Sequence, residues 1–136
     1  MTDRDTDPDL SYRQGIDAVV RLIGGRGTSW IPAIMTALAT QPLRYSELLA
    51  EVNRAEERGG NIIHGRLSEK VLSNTLPRME RLGLVTKRRM QQFQPETWYE
   101  LTEFAYSLLT VLRVVAEWAQ ANRDAVIAAL QKSDDD

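Results

Sequence analysis

The residues with most chemical potential in this chain are cationic and polar: Lys70, Ser73, Asn74 and Arg78, followed by the run Lys87-Arg88-Arg89. The first four fall at i, i+3, i+4 and i+8, which is one face of a helix. On such a face Lys and Arg can donate to guanine edges and Asn can pair with adenine. Consecutive cations suit phosphates, which anchor a protein without carrying sequence information. Catalytic chemistry has far less to work with. His64 is the only histidine and has no carboxylate pair at ligand spacing, which argues against a metal site and against a general base. The absence of cysteine removes disulfides, thiolate metal sites and cysteine nucleophiles. Gly24-Gly25-Arg26-Gly27 could suggest a phosphate cradle, but no strand precedes it and no Lys-Ser/Thr pair follows, so it reads as an inter-helix loop. No nucleophile–base set and no cofactor motif emerge, so no catalytic residue, metal or cofactor is assigned and an enzyme is not expected.

The elements that must position those cations lie between Leu67 and Thr102. Ser68 can cap a helix over about 68–82, with Val71, Leu72, Leu76, Met79 and Leu82 as its apolar stripe. Glu69, Lys70, Ser73, Asn74, Pro77, Arg78 and Arg81 occupy the other face, and Gly83 stands where a helix ends in a left-handed residue. Pro77 removes a backbone bond and is expected either to kink the axis or to end regular contact after Asn74. Beyond Gly83 the period switches to strands, from Leu84 to Arg89 and from Thr97 to Leu101, with a hairpin tip around Gln91, Gln92, Gln94 and Pro95. A polar helix face followed by a basic hairpin over about 84–101 is what a winged helix-turn-helix presents to duplex DNA. The alternative reading is a small α+β domain whose solvated face is basic.

The rest of the chain reads as support. Tyr12 to Ile23 predicts a first helix, and Thr28 or Ser29 can cap a second with Pro32 in its first turn. Leu43-Arg44-Tyr45 predicts a short strand, and Ser46 caps a helix over Glu47–Asn53 that packs behind the reading helix. Arg54 to Arg66 reads as a loop, too long for the usual turn between the two helices, with an extra turn over Asn61–His64. Thr102 caps a long helix over about 103–121, and Asp124 to Lys132 predicts a last one. The long helix carries Phe104, Leu108, Leu112, Val115 and Trp118, more apolar surface than a small domain can cover, so these are the candidate dimer interface.

Length and charge agree with one small domain. At 136 residues the chain suits a single core over residues 10–132, between acidic tails at 1–9 and 133–136 that are expected to be disordered. The net charge of −2 hides an asymmetry, because Arg54 to Arg89 holds nine basic residues against four glutamates. That concentration around the proposed helix and wing argues for a polyanion partner. The acidic N-terminus has no apolar signal region and no stretch is long enough to span a membrane, so a soluble, cytoplasmic protein without a membrane partner is expected.

Several stretches, taken in order, carry a family resemblance: Trp30, Leu43-Arg44-Tyr45-Ser46-Glu47-Leu48, Leu67 to Ser73, Leu76 to Val85, Tyr99-Glu100-Leu101-Thr102 and Trp118. Together they resemble the HxlR-type family of winged helix-turn-helix transcriptional regulators, over roughly residues 16–120. The resemblance implies a mainly α fold with a small β-hairpin and dimerisation helices at both ends. It also implies a homodimer on double-stranded DNA. The DNA surface would then be Ser68, Lys70, Ser73, Asn74 and Arg78 on the recognition helix, with Lys87, Arg88 and Arg89 on the wing. Four departures stand out: Ser29 where a basic residue is usual, no sensing cysteine near the N-terminus, the long Arg54–Arg66 segment, and Ala105 in place of a glycine. Without the cysteine, thiol-based sensing is excluded. A second reading keeps the winged fold but makes it a protein- or ligand-binding module. Trp30, Trp98, Trp118, Tyr99 and Tyr106 would then line a cleft between subunits for a small apolar effector, unless they are simply core.

Overall fold

The computed structural model describes residues 11–24, 29–60, 65–90 and 96–135. Its elements run α1 (Tyr12–Ile23), α2 (Ile31–Leu38), β1 (Leu43–Arg44), α3 (Tyr45–Arg58), α4 (Glu69–Arg81), β2 (Val85–Met90), β3 (Glu96–Leu101), α5 (Glu103–Ala121) and α6 (Arg123–Asp135). The glycine segment 25–28, the His64 turn at 61–64, the hairpin tip at 91–95 and the acidic tail at 1–9 lie outside the described residues. The other expected tail is helical as far as Asp135.

Local side-chain bonds fix several helix starts. Ser11 and Gln14 form a capping box at α1, each side chain satisfying the other's backbone N–H. Ser29 donates to the Ile23 carbonyl and accepts from the Ile31 amide, joining the end of α1 to the start of α2. Ser68 Oγ accepts from the Val71 amide at 3.2 Å and opens α4. Thr102 Oγ1 accepts from Ala105 N at 3.1 Å and donates to the Gly83 carbonyl at 2.6 Å. One hydroxyl therefore caps α5 and secures the end of α4.

Gly83 is where α4 must stop. Its φ of 77° is left-handed, a conformation that costs an L side chain strain. Gly83 N bonds back to Glu80 O and Leu84 N to Met79 O, the paired closure of a Schellman motif. The motif's apolar contact is present as well, since Leu84 and Met79 are both fully buried.

The core gathers Ile31, Ile34, Met35 and Leu38 from α2, Leu48 and Val52 from α3, Leu72, Leu76 and Met79 from α4, and Ala105 and Leu108 from α5. Each such large side chain taken fully out of water stabilises the fold by about 1.5–3 kcal/mol. Leu43, Val85 and Leu101 bring the sheet into the same cluster. The hairpin expected from the sequence is extended to three antiparallel strands in the order β1-β3-β2. Leu43 sits opposite Tyr99, and Arg44 opposite Trp98.

Two readings of the sequence need correcting. Val71 is exposed, so the α4 stripe narrows to Leu72, Leu76 and Met79, with Leu82 partly buried against the same core. The helix expected over Glu47–Asn53 begins at Tyr45 and continues to Arg58, so the first five of the thirteen residues of the supposed long loop are helix. Glu51 explains part of that extension by pairing with Arg54 at 2.8 Å and Arg58 at 3.7 Å along the helix surface. The chain that returns from α3 is fastened by Asn53, a buried polar side chain whose amide clasps both backbone groups of Leu67 at 2.7 and 3.1 Å. Helix α4 runs through Pro77 to Arg81, which keeps Arg78 on the helix.

Candidate nucleic-acid interface

Helix α4 presents Lys70, Ser73, Asn74 and Arg78 to solvent, because Leu72, Leu76 and Met79 commit the opposite face to the core. Lys70, Asn74 and Arg78 have no side-chain hydrogen bond or ion pair among the described residues. Ser68 is exposed too, but its oxygen is occupied as the helix cap. Ser73 is also engaged, since its hydroxyl lies 2.8 Å from the Tyr45 hydroxyl.

The strand run divides where the sequence suggested a unit. Val85 points into the core, and the twofold period of a strand places Lys87 and Arg89 on its side of the sheet, with Arg88 on the other. Lys87 is opposite Tyr99. The Tyr99 phenol is pushed up by burial first, then by the charges of Glu80 and Tyr45, so this face looks toward α3 and α4. Arg88 instead pairs with Glu100 at 2.8 Å on the outer face. Of the three cations expected to meet phosphates, Arg88 is thus paired with a glutamate, while Lys87 and Arg89 have no ion pair among the described residues.

The outer face holds a cluster that sequence reasoning missed. Arg44 binds Glu47 at 3.2 Å and Glu96 at 2.8 Å, and its guanidinium lies 5.5 Å from the centre of the Trp98 ring. The Arg44 backbone N–H donates to Glu47 at 2.9 Å, giving α3 half of a capping box. Hydrogen bonds from the Arg44 side chain and backbone hold Glu47 below the usual carboxylate range, and those it donates to Glu47 and then Glu96 raise Arg44. Only the Arg44/Glu47 spacing hinted at this; the contact with Glu96 joins residues far apart in the chain.

Within one protomer the aromatics considered for a cleft between subunits lie apart. Trp30 is core, Trp98 lies beside Arg44, and Trp118 is 63% exposed on α5. Phe104, Val111, Val114 and Val115 are also exposed on α5, whereas Leu108 is buried in the protomer's own core and Leu112 packs against it. Leu108 is thus removed from the expected dimer surface. A groove of about 510 Å³ beside α5 is lined by Leu109, Leu112, Val115 and Ala116 together with Ile23 and Pro32, and by none of the five aromatics. Helix α1 packs Val19, Leu22 and Ile23 partly buried against the core and exposes Tyr12, Ile16 and Val20.

A helix packed behind an exposed polar helix, followed by a hairpin and a long terminal helix, defines the winged helix-turn-helix class. The HxlR-like helix-turn-helix family model matches residues 22–126, and the chain belongs to that family. An uncharacterized HTH-type transcriptional regulator of Halalkalibacterium halodurans is 33% identical over 104 residues, covering 76% of this chain and 79% of that protein. The HTH-type regulator YkvN of Bacillus subtilis is 28% identical, covering 76% and 75%. In fold, a crystal structure of a MarR-family regulator from Enterococcus faecalis superposes with a TM-score of 0.67 at 21% identity, covering 88% of this chain and 94% of that one. These relatives are regulators of transcription and not enzymes. No helix among the described residues is long and apolar enough to cross a membrane.

Proposed function

We propose that the protein is a homodimeric, sequence-specific transcriptional regulator that reads double-stranded DNA with α4 and grips its backbone with the β2–β3 wing. The observation that carries this reading is the distribution of unpaired cations. Arg44, Arg54, Arg58, Arg66 and Arg88 are all matched by glutamates. Among the described residues Lys70, Arg78 and Arg81 on α4, Lys87 and Arg89 on β2, and Arg13, Arg21, Arg113 and Lys132 elsewhere have no such partner, so more than half of the unpaired cations gather on α4 and β2. Charges left unneutralised on one surface are what a phosphate backbone would satisfy.

The dimer reading rests on the apolar surface of α5, with Phe104, Val115 and Trp118 more than half exposed, and on the exposed Tyr12, Ile16 and Val20 of α1. A second copy offers the same two surfaces in return, as a twofold interface requires, and twofold symmetry matches a palindromic site. Selection from a random duplex pool tests the proposal. The wild-type chain should enrich a sequence with twofold symmetry and bind it more tightly than random DNA. Enrichment of no sequence would favour the protein- or ligand-binding reading of the same fold.

A further inference from the structure

The contact between Tyr45 and Ser73 fixes the direction of a proton. Tyr45 Oη lies 2.7 Å from the Glu69 carbonyl and 2.8 Å from Ser73 Oγ. A carbonyl can only accept, so the single phenolic hydrogen is spent on Glu69. The Tyr45 oxygen must then accept from Ser73, because otherwise two lone pairs would face each other at 2.8 Å. The Ser73 hydroxyl hydrogen is therefore turned inward, and only lone pairs remain toward solvent. The backbone reinforces this polarity, since Pro77, four residues on, has no amide to give the Ser73 carbonyl.

We propose that Tyr45 sets Ser73 as a hydrogen-bond acceptor, so that this position of α4 selects a base with an exocyclic amino group, adenine or cytosine. In the major groove the amino groups of adenine and cytosine are donors, whereas guanine and thymine present keto oxygens at the corresponding edge. An unconstrained serine can rotate its hydroxyl to suit either kind of edge and discriminates little. Tyr45 removes that freedom. It is a positioning residue, acting through Ser73 from the first turn of α3, and the inference rests on α4 being the reading helix.

Selection from a random duplex pool with wild type, Tyr45→Phe, Ser73→Ala and the double variant tests it. Wild type should prefer an amino base over a keto base at one position of each half-site by roughly five- to tenfold, the scale of one well-placed hydrogen bond. Tyr45→Phe frees the Ser73 hydrogen and should bring that ratio close to one, leaving preferences at the other positions intact. Ser73→Ala should erase the same preference, and the double variant should match it. A merely structural role for Tyr45 would instead lower affinity for all sequences alike. An unchanged amino-to-keto ratio in Tyr45→Phe overturns the inference while leaving the DNA-reading proposal standing, and so does a Ser73→Ala variant that alters no position. Failure of the wild type to enrich any sequence overturns both.

Discussion

At the scale of single residues, the difference between a reader and an anchor is whether the partner differs between bases. Asn74 and Arg78 face outward from α4, so replacing either with Ala should cost about 1–3 kcal/mol on the selected sequence and little on random DNA. Titration of both duplexes with each variant measures the specificity ratio. Arg89→Ala should weaken both duplexes by the same factor and flatten the slope of log K against log salt by about one unit. Arg88→Ala should do much less, because Arg88 is already neutralised by Glu100 at 2.8 Å. Equal effects of Arg88→Ala and Arg89→Ala would mean that the strand faces are assigned wrongly. The identity of these residues was legible in the sequence, as was the outward face of α4. The inequality within Lys87-Arg88-Arg89 was not, since it depends on which side of β2 meets the core.

At the scale of elements, the junctions hold α4 at its angle. Gly83→Ala places a side chain on a backbone with φ of 77°. Its cost should be about 1–2 kcal/mol, read as a lower urea midpoint with an unchanged slope. Asn53→Ala orphans the N–H and carbonyl of Leu67, both buried. Roughly 1–3 kcal/mol for each orphaned group makes this the more damaging change. Asn53 also limits how the α3–α4 connection can be shortened: deletions between Gly59 and Arg66 should be tolerated only if the clasp on Leu67 survives. The Arg44–Glu47 tie gives a pH dependence with a definite sign. Glu47 is held below its ordinary value when folded. Its contribution is therefore present above the unfolded carboxylate range and lost as pH falls through the lower folded value. A Glu47→Gln variant should show a shallower acid-side loss of thermal stability than wild type, and parallel acid titrations of the melt would exclude the tie as the cause.

At the scale of the molecule, the apolar surface left uncovered is as informative as the core. Trp118 is 63% exposed and Val114 is 65% exposed, so Asp at either position leaves the protomer's core untouched. Light scattering of the wild type should give twice the 15.4 kDa chain mass, and Val114→Asp with Trp118→Asp should give the chain mass with the fold intact by circular dichroism. A wild-type monomer at micromolar concentration would remove the dimer from the proposal, and with it the expectation of palindromic sites.

The sequence by itself determined the order of elements, the caps at Ser68 and Thr102, the stop at Gly83 and the polar face of α4. All of these follow from interactions within a few residues or from periodicity, which a linear chain records directly. Tertiary structure decided the rest. It added β1 to the sheet, buried Leu108 in its own protomer, carried α3 on to Arg58, separated Arg88 from Lys87 and Arg89, and brought Tyr45 against Ser73. Most of those outcomes depend on contacts between residues remote in sequence, such as Arg44 with Glu96 or Tyr45 with Ser73. Such pairs leave no local pattern, because their geometry exists only once the core has fixed how the helices cross and which face of each strand turns inward.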